Sequence, residues 1–209
     1  MDALLVIDPQ NDFLPGGPLA VPEGDQVLPV IERLLPYFQL RVATQDWHPA
    51  EHGSFAANHQ GTNPGELIEL DGLTQVLWPT HCVAESDGAD FAPPLSATDF
   101  HAVFRKGIDP NVDSYSGFYD NGRRHDTGLC AWLKERDVDQ LFILGLATDY
   151  CVKWSALDAR TEGFAVTLVE DGCRGVELQQ GDIERALDEL RGAGVTFCQS
   201  ETLLRERSL

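Results

Sequence analysis

The stretch from residue 141 to 152, LFILGLATDYCV, constrains this chain's fold more than any other. Its first four residues are apolar without alternation, the pattern of a strand covered on both faces rather than one half in water. Gly145 permits a tight turn, and from Asp149 onward the spacing becomes helical, with Val152, Ala156 and Ala159 on one face. A buried strand that turns straight into a helix is the start of a crossover unit. The same logic reads residues 3–7, 40–44, 101–105, 164–169 and 195–197 as strands, and Val27/Ile31/Leu34/Leu35, Leu129/Trp132/Leu133 and Ile183/Leu187/Leu190 as helix faces. Strands alternate with helices throughout. The expected fold is therefore α/β, a three-layer sandwich with a mostly parallel central sheet of about six strands and helices on both faces.

With 209 residues, 43% of them hydrophobic, the chain can bury one sizeable core, and neither an internal repeat nor a linker divides it. A single domain over residues 1–209 is expected. Residues 49–72 are rich in Gly, Asn, Pro and acidic side chains and read as a long loop or excursion over the active face. Residues 171–174 read as a turn, and the tail 200–209 as a partial helical turn.

Chemistry-bearing residues gather where the strands end. Asp8 follows the first strand, Asp46 and His48 the second, Lys106 the third, and Cys151 lies just beyond the strand at 141–144. In open α/β sheets ligands bind outside the carboxyl ends of the strands, so all five should share one edge. Taken alone, Cys151 would pass for an ordinary buried cysteine. At a helix start, however, free backbone N–H groups and the dipole favour a thiolate, and a nearby carboxylate can take the thiol proton and later return it to a leaving group. Asp8 fits that role, Lys106 supplies a cation that helps fix which group is charged, and the turn at Ala147 offers N–H donors to a developing oxyanion. Asp46 and His48, two apart on an extended segment, can converge on a divalent ion, with His81 as a third ligand and His52 and His59 as further candidates.

Fifteen basic against 34 acidic side chains leave a net charge of −19, which repels phosphate backbones and anionic membranes. Nucleic acid and membrane partners are not expected. The N-terminus has no basic region before its short apolar run, so a cytoplasmic location is expected. Five cysteines, at 82, 130, 151, 173 and 198, form no C-x-x-C pair, which argues for reduced thiols rather than a disulfide framework or a zinc knuckle.

The motifs DPQNDF at 8–13, TQDWHP at 44–49, LWPTHC at 77–82, FRKG at 104–107, DSYSGF at 113–118, GLATDYCV at 145–152 and DGCRGV at 171–176 resemble those of the isochorismatase-like cysteine hydrolases, in particular the nicotinamidase branch. The resemblance spans nearly the whole chain. It implies that Asp8, Lys106 and Cys151 are the catalytic triad and that Asp46, His48 and His81 hold one divalent transition metal ion, Zn²⁺ or Fe²⁺, with Mn²⁺ also compatible. Phe13 and Trp78 would flank the substrate ring. The amides of Ala147 and Cys151 would form the oxyanion hole, next to a cis Leu146-Ala147 peptide. The implied reaction is hydrolysis of nicotinamide to nicotinate and ammonia through a Cys151 acyl-thioester, with pyrazinamide as a further substrate and association into a homo-oligomer left open. The alternative within the family is an amidase for a carbamoyl or ureido substrate, which would not need the metal set. Thr80 and the segment 83–89 depart from the branch's usual pattern without touching these residues.

Overall fold

A computed structural model describes residues 1–207. In chain order the regular elements are β1 (Asp2–Ile7), α1 (Val27–Leu34), β2 (Arg41–Asp46), β3 (Leu67–Leu70), β4 (Leu73–Val76), β5 (Ala102–Lys106), α2 (Leu129–Lys134), β6 (Gln140–Leu146), α3 (Lys153–Thr161), β7 (Ala165–Arg174), α4 (Asp182–Gly192), β8 (Thr196–Cys198) and α5 (Ser200–Arg207). Six strands form one sheet in the order β5-β2-β1-β6-β7-β8. Every neighbouring pair in it is parallel. The chain begins at the centre, moves outward through β2 to β5, then returns to the other side of β1 and moves outward again. That reversal puts the switch point between β1 and β6, where α/β sheets open a crevice at their carboxyl edge.

The apolar runs explain this arrangement. Ala3 to Ile7 and Leu141 to Leu144 are buried, because helices cover the sheet on both sides. α1 turns Val27, Val30, Ile31 and Leu34 inward and packs beside α5, while α3 packs against α4. Gly145 has a φ of +127°, and a Cβ there would lie 2.1 Å from the Ile7 carbonyl oxygen, so the closest approach of β6 to β1 admits only glycine.

Three expectations need correction. The segment 49–72 is not all loop: β3 begins within it and pairs antiparallel with β4 as a two-stranded hairpin outside the main sheet. Its strands, LIEL and LTQV, are only four residues each, too short for an alternation to be read from sequence. Residues 171–174, read as a turn, continue β7, whose pairing with β6 shifts register and resumes at Gly145↔Cys173. The irregularity let a Gly-containing strand look like a turn. The tail forms a full α5 to Arg207; Ser208 and Leu209 lie outside the described residues.

Candidate active site

Asp8 stands immediately after β1, with φ +46°, a left-handed conformation that carries the chain off the sheet and turns the carboxylate toward β2. Thr44, on β2, donates its hydroxyl to Asp8 Oδ1 at 2.6 Å and accepts the Asp8 N–H at 3.2 Å. Lys106 closes β5 and is almost wholly buried. Its Nζ lies 2.9 Å from Asp8 Oδ2, donates to the Ser114 carbonyl at 2.9 Å, and reaches Cys151 Sγ at 3.3 Å. The same Nζ also contacts Asp46 Oδ1. One buried ammonium thus joins the Asp8–Cys151 pair to Asp46.

Cys151 does not occupy the first turn of an α-helix as expected. It is the fourth residue of a single π-helical turn, Thr148–Val152, ahead of α3. The Leu146-Ala147 peptide before it is cis. Burial pushes the Cys151 thiol well above its usual range; Lys106 pulls it down, but Asp8 and Asp46 push it back up. Burial and the two carboxylates thus favour the Cys151 thiol, against the thiolate that a helix dipole would favour. Burial, together with Asp46, also raises the Asp8 carboxyl despite Lys106 and the Thr44 hydrogen bond, so Asp8 binds a proton more readily than an exposed aspartate. For Lys106, burial works against the charge, but Asp46, Asp8 and Cys151 outweigh it and hold the amine firmly protonated.

Beside this cluster, Asp46, His48 and His81 bring one donor atom each to within 4.8 Å of one another, all buried. Asp46 Oδ2 is 3.6 Å from His48 Nε2 and 3.7 Å from His81 Nε2. Each imidazole is oriented from behind: His48 Nδ1 donates to the Gly107 carbonyl at 2.8 Å and His81 Nδ1 to the Pro79 carbonyl at 2.7 Å. Those bonds leave the Nε2 lone pairs facing Asp46, the tautomer a metal ligand needs. His48 Nε2 is buried without a hydrogen-bond partner, an arrangement a protein tolerates where an ion takes the contact. Burial would raise Asp46, yet the Lys106 ammonium beside it holds it well below the usual carboxylate range. A carboxylate with two imidazoles suits Zn²⁺, Fe²⁺ or Mn²⁺. Gly107 is part of the fit: with φ +68°, a Cβ there would fall 2.3 Å from His48 Cε1. His52, with Nδ1 held by Ser54 at 2.8 Å, lies tilted against His48, ring centroids 4.5 Å apart, next to Asp113, whereas His59 bonds the Gly53 carbonyl and serves its own loop.

A narrow pocket opens onto both centres, lined by Phe13, Trp78, Asp46, His81, Ala147 and Cys151. Leu19, Asp113, Tyr115, Tyr150 and Val176 complete its walls and were not singled out from the sequence. Trp78 is locked edge-on against Tyr150, with ring centroids 4.9 Å apart, and its Nε1 donates to the Tyr115 hydroxyl at 3.2 Å. Tyr115 lies in the motif DSYSGF and Tyr150 beside the cysteine, so proximity to recognised motifs was the available signal. A larger cavity is lined by Lys106, Gly107, Ile108 and Thr127 among others, and Cys151, Asp46, His48, His81, Phe13 and Trp78 do not line it.

Comparison with known proteins places this geometry. Residues 2–202 match the isochorismatase domain. The nicotinamidase of Escherichia coli K12 is 52% identical over 199 residues, covering 93% of both chains. A nicotinamidase/pyrazinamidase structure from Acinetobacter baumanii superposes with a TM-score of 0.93 at 46% identity and covers 97% of each chain. The pyrazinamidase of Pyrococcus horikoshii in complex with zinc gives a TM-score of 0.77 at 38% identity, covering 95% of this chain and 98% of that one. With its parallel six-stranded sheet and this degree of likeness over nearly its full length, the chain belongs to the isochorismatase-domain family, among its nicotinamidase-type hydrolases.

Proposed function

We propose that the protein hydrolyses nicotinamide to nicotinate and ammonia, a step in NAD salvage, through a Cys151 acyl-thioester, and that it accepts pyrazinamide by the same route. The observation that carries this reading is the contact of one buried Lys106 Nζ with Asp8 and with Cys151 Sγ and Asp46, the latter two lining an aromatic pocket. The donor atoms of Asp8 and Cys151 lie within 4.8 Å of each other, so a proton can pass between them as substrate arrives. Asp8 accepts the thiol proton while sulfur attacks the amide carbon, and the amides of Ala147 and Cys151 receive the developing oxyanion. As the C–N bond breaks, Asp8 returns that proton to the departing amine, which leaves as ammonia. Water then adds to the thioester with Asp8 as base, the C–S bond breaks, and nicotinate and the thiol are restored. Lys106 keeps its charge throughout and stabilises ionised Asp8.

Phe13 and Trp78 flank the ring. Asp46, His48 and His81 would hold a divalent ion, which when bound supplies a Lewis-acidic anchor for the pyridine nitrogen and polarises water. Elemental analysis of purified protein, run with an ammonia-release panel of pyridine carboxamides and carbamoyl compounds, tests the reading. Stoichiometric metal and turnover of nicotinamide are expected; turnover of carbamoyl substrates alone would refute it. Cys151→Ala should abolish ammonia release with fold and metal content unchanged, and retained turnover would sink the nucleophile assignment.

A further inference from the structure

We infer that Gln10 is a positioning residue for the metal site, its side chain standing in for a missing strand beside Asp46; the inference rests on the metal reading above. β1 pairs with β2 through Val6↔Ala43, then ends at Ile7 and departs at Asp8, whereas β2 continues to Asp46 against β5. In a strand the N–H and C=O of one residue point to the same side. Those of Asp46 point to the side β1 has left, while the neighbouring Trp47 N–H bonds Lys106 on β5. Both Asp46 groups would be buried without partners. Gln10, itself wholly buried, fills the vacancy: its Oε1 accepts the Asp46 N–H at 2.8 Å and its Nε2 donates to the Asp46 carbonyl at 2.8 Å.

The second Nε2 hydrogen goes to the Ala89 carbonyl at 2.8 Å, in the segment that follows His81. A single amide therefore ties the end of β2, the loop after His81 and the segment carrying Asp8. No other side-chain pairing offers this: a carboxylate lacks the donors, a lysine lacks the acceptor, and an asparagine is one methylene short. With Asp46 seated, one of its oxygens faces Lys106 and the other the two histidines. Freed at the strand end, that division of oxygens is lost. Partners that orient metal ligands typically govern about 10–100-fold in affinity.

The test measures Zn²⁺ affinity by chelator competition on wild type, Gln10→Met, Gln10→Glu and a control, Thr167→Val. The control deletes one part-buried side-chain hydrogen bond, Thr167 to Thr196, in the β7–β8 pair away from the site. Both Gln10 variants are checked for folding by circular dichroism, and whichever folds should bind Zn²⁺ about 10–100-fold more weakly than wild type, with Thr167→Val unchanged. Wild-type affinity in a folded Gln10 variant overturns the inference, as does an equal loss in Thr167→Val. If neither Gln10 variant folds while the control does, Gln10 is a folding residue and the positioning role fails. Absence of Zn²⁺ binding in wild type would instead count against the metal reading itself.

Discussion

Replacing Lys106 by methionine tests the electrostatic core of the site. The ammonium lies 2.9 Å from Asp8 Oδ2 and 3.3 Å from Cys151 Sγ and also contacts Asp46, all of them buried. Methionine fills much the same volume, so the loss is mainly one of charge. Removing one member of a buried ionic group costs about 3–5 kcal/mol, because the partners stay buried and unpaired. At about 2–4 °C per kcal/mol for a chain of this size, the melting temperature of metal-free protein should fall by about 6–20 °C. The pH dependence identifies the cause. Lys106 lowers both Asp8 and Asp46, so without it both carboxyls rise in the native state, while in the unfolded chain they stay near 3.8. A carboxyl held above its unfolded value gives stability that is present below the unfolded pKa and lost as pH rises through the folded one. The variant's deficit should therefore grow by about 1.4 kcal/mol per pH unit for each proton the native state retains. Urea unfolding of metal-free wild type and variant at pH 5, 6, 7 and 8 measures it, and ammonia release should fall at least about 10²–10³-fold. A deficit that does not change between pH 5 and pH 8 would refute the shared-cation account.

Three further substitutions probe neighbouring features. Thr44→Val keeps the volume but orphans the buried Asp8 N–H, at a cost of about 1–3 kcal/mol in denaturant unfolding. Because the hydroxyl also lowers the Asp8 carboxyl, the acid limb of kcat/KM, which requires ionised Asp8, should move to higher pH; an unmoved limb would exclude Asp8 as the base. Gly107→Ala drives a methyl into His48 and should yield folded protein with less metal per chain by elemental analysis, whereas full loading would mean that the ring can move aside. Glu162, which accepts from Tyr119 at 2.6 Å and Lys134 at 3.0 Å, is held down to about 2 by those bonds and the Cys130 contact. Its stabilisation is present above the unfolded pKa near 4.5 and lost as pH falls toward 2, so Glu162→Gln should be less stable than wild type at neutral pH, with the gap closing on acidification; a gap constant with pH would refute it.

Local sequence was most informative where one interaction dominated. The runs at 3–7 and 141–144 could only be buried strands, and strand ends then located Asp8, Asp46 and Lys106 at one edge. Cys151 was legible as a position but not as a chemical state: its protonation depends on burial by remote segments and on Asp8 and Asp46, which are distant in sequence. The bridging role of Lys106 was hidden for the same reason, since adjacency of β2 and β5 sets its contact with Asp46. Gln10 was passed over because side-chain amides carry no reactive signature. Its use becomes visible only once β1 is seen to stop short of β2.

The burial of Cys151 has a consequence for its encounter with oxidants. Peroxide and simple alkylating agents react with thiolates at accessible sites, and Cys151 is only 7% exposed, with burial pushing its thiol pKa up. Redox-sensing cysteines have the opposite character, ionised and open. On the proposed mechanism, Cys151 reacts only when a molecule shaped for the pocket presents an electrophilic carbon within reach while Asp8 takes the proton. Inhibitors of this protein should thus be distinguished by fit before reactivity, and general thiol reagents should meet the half-buried Cys130 and Cys198 before the buried Cys151.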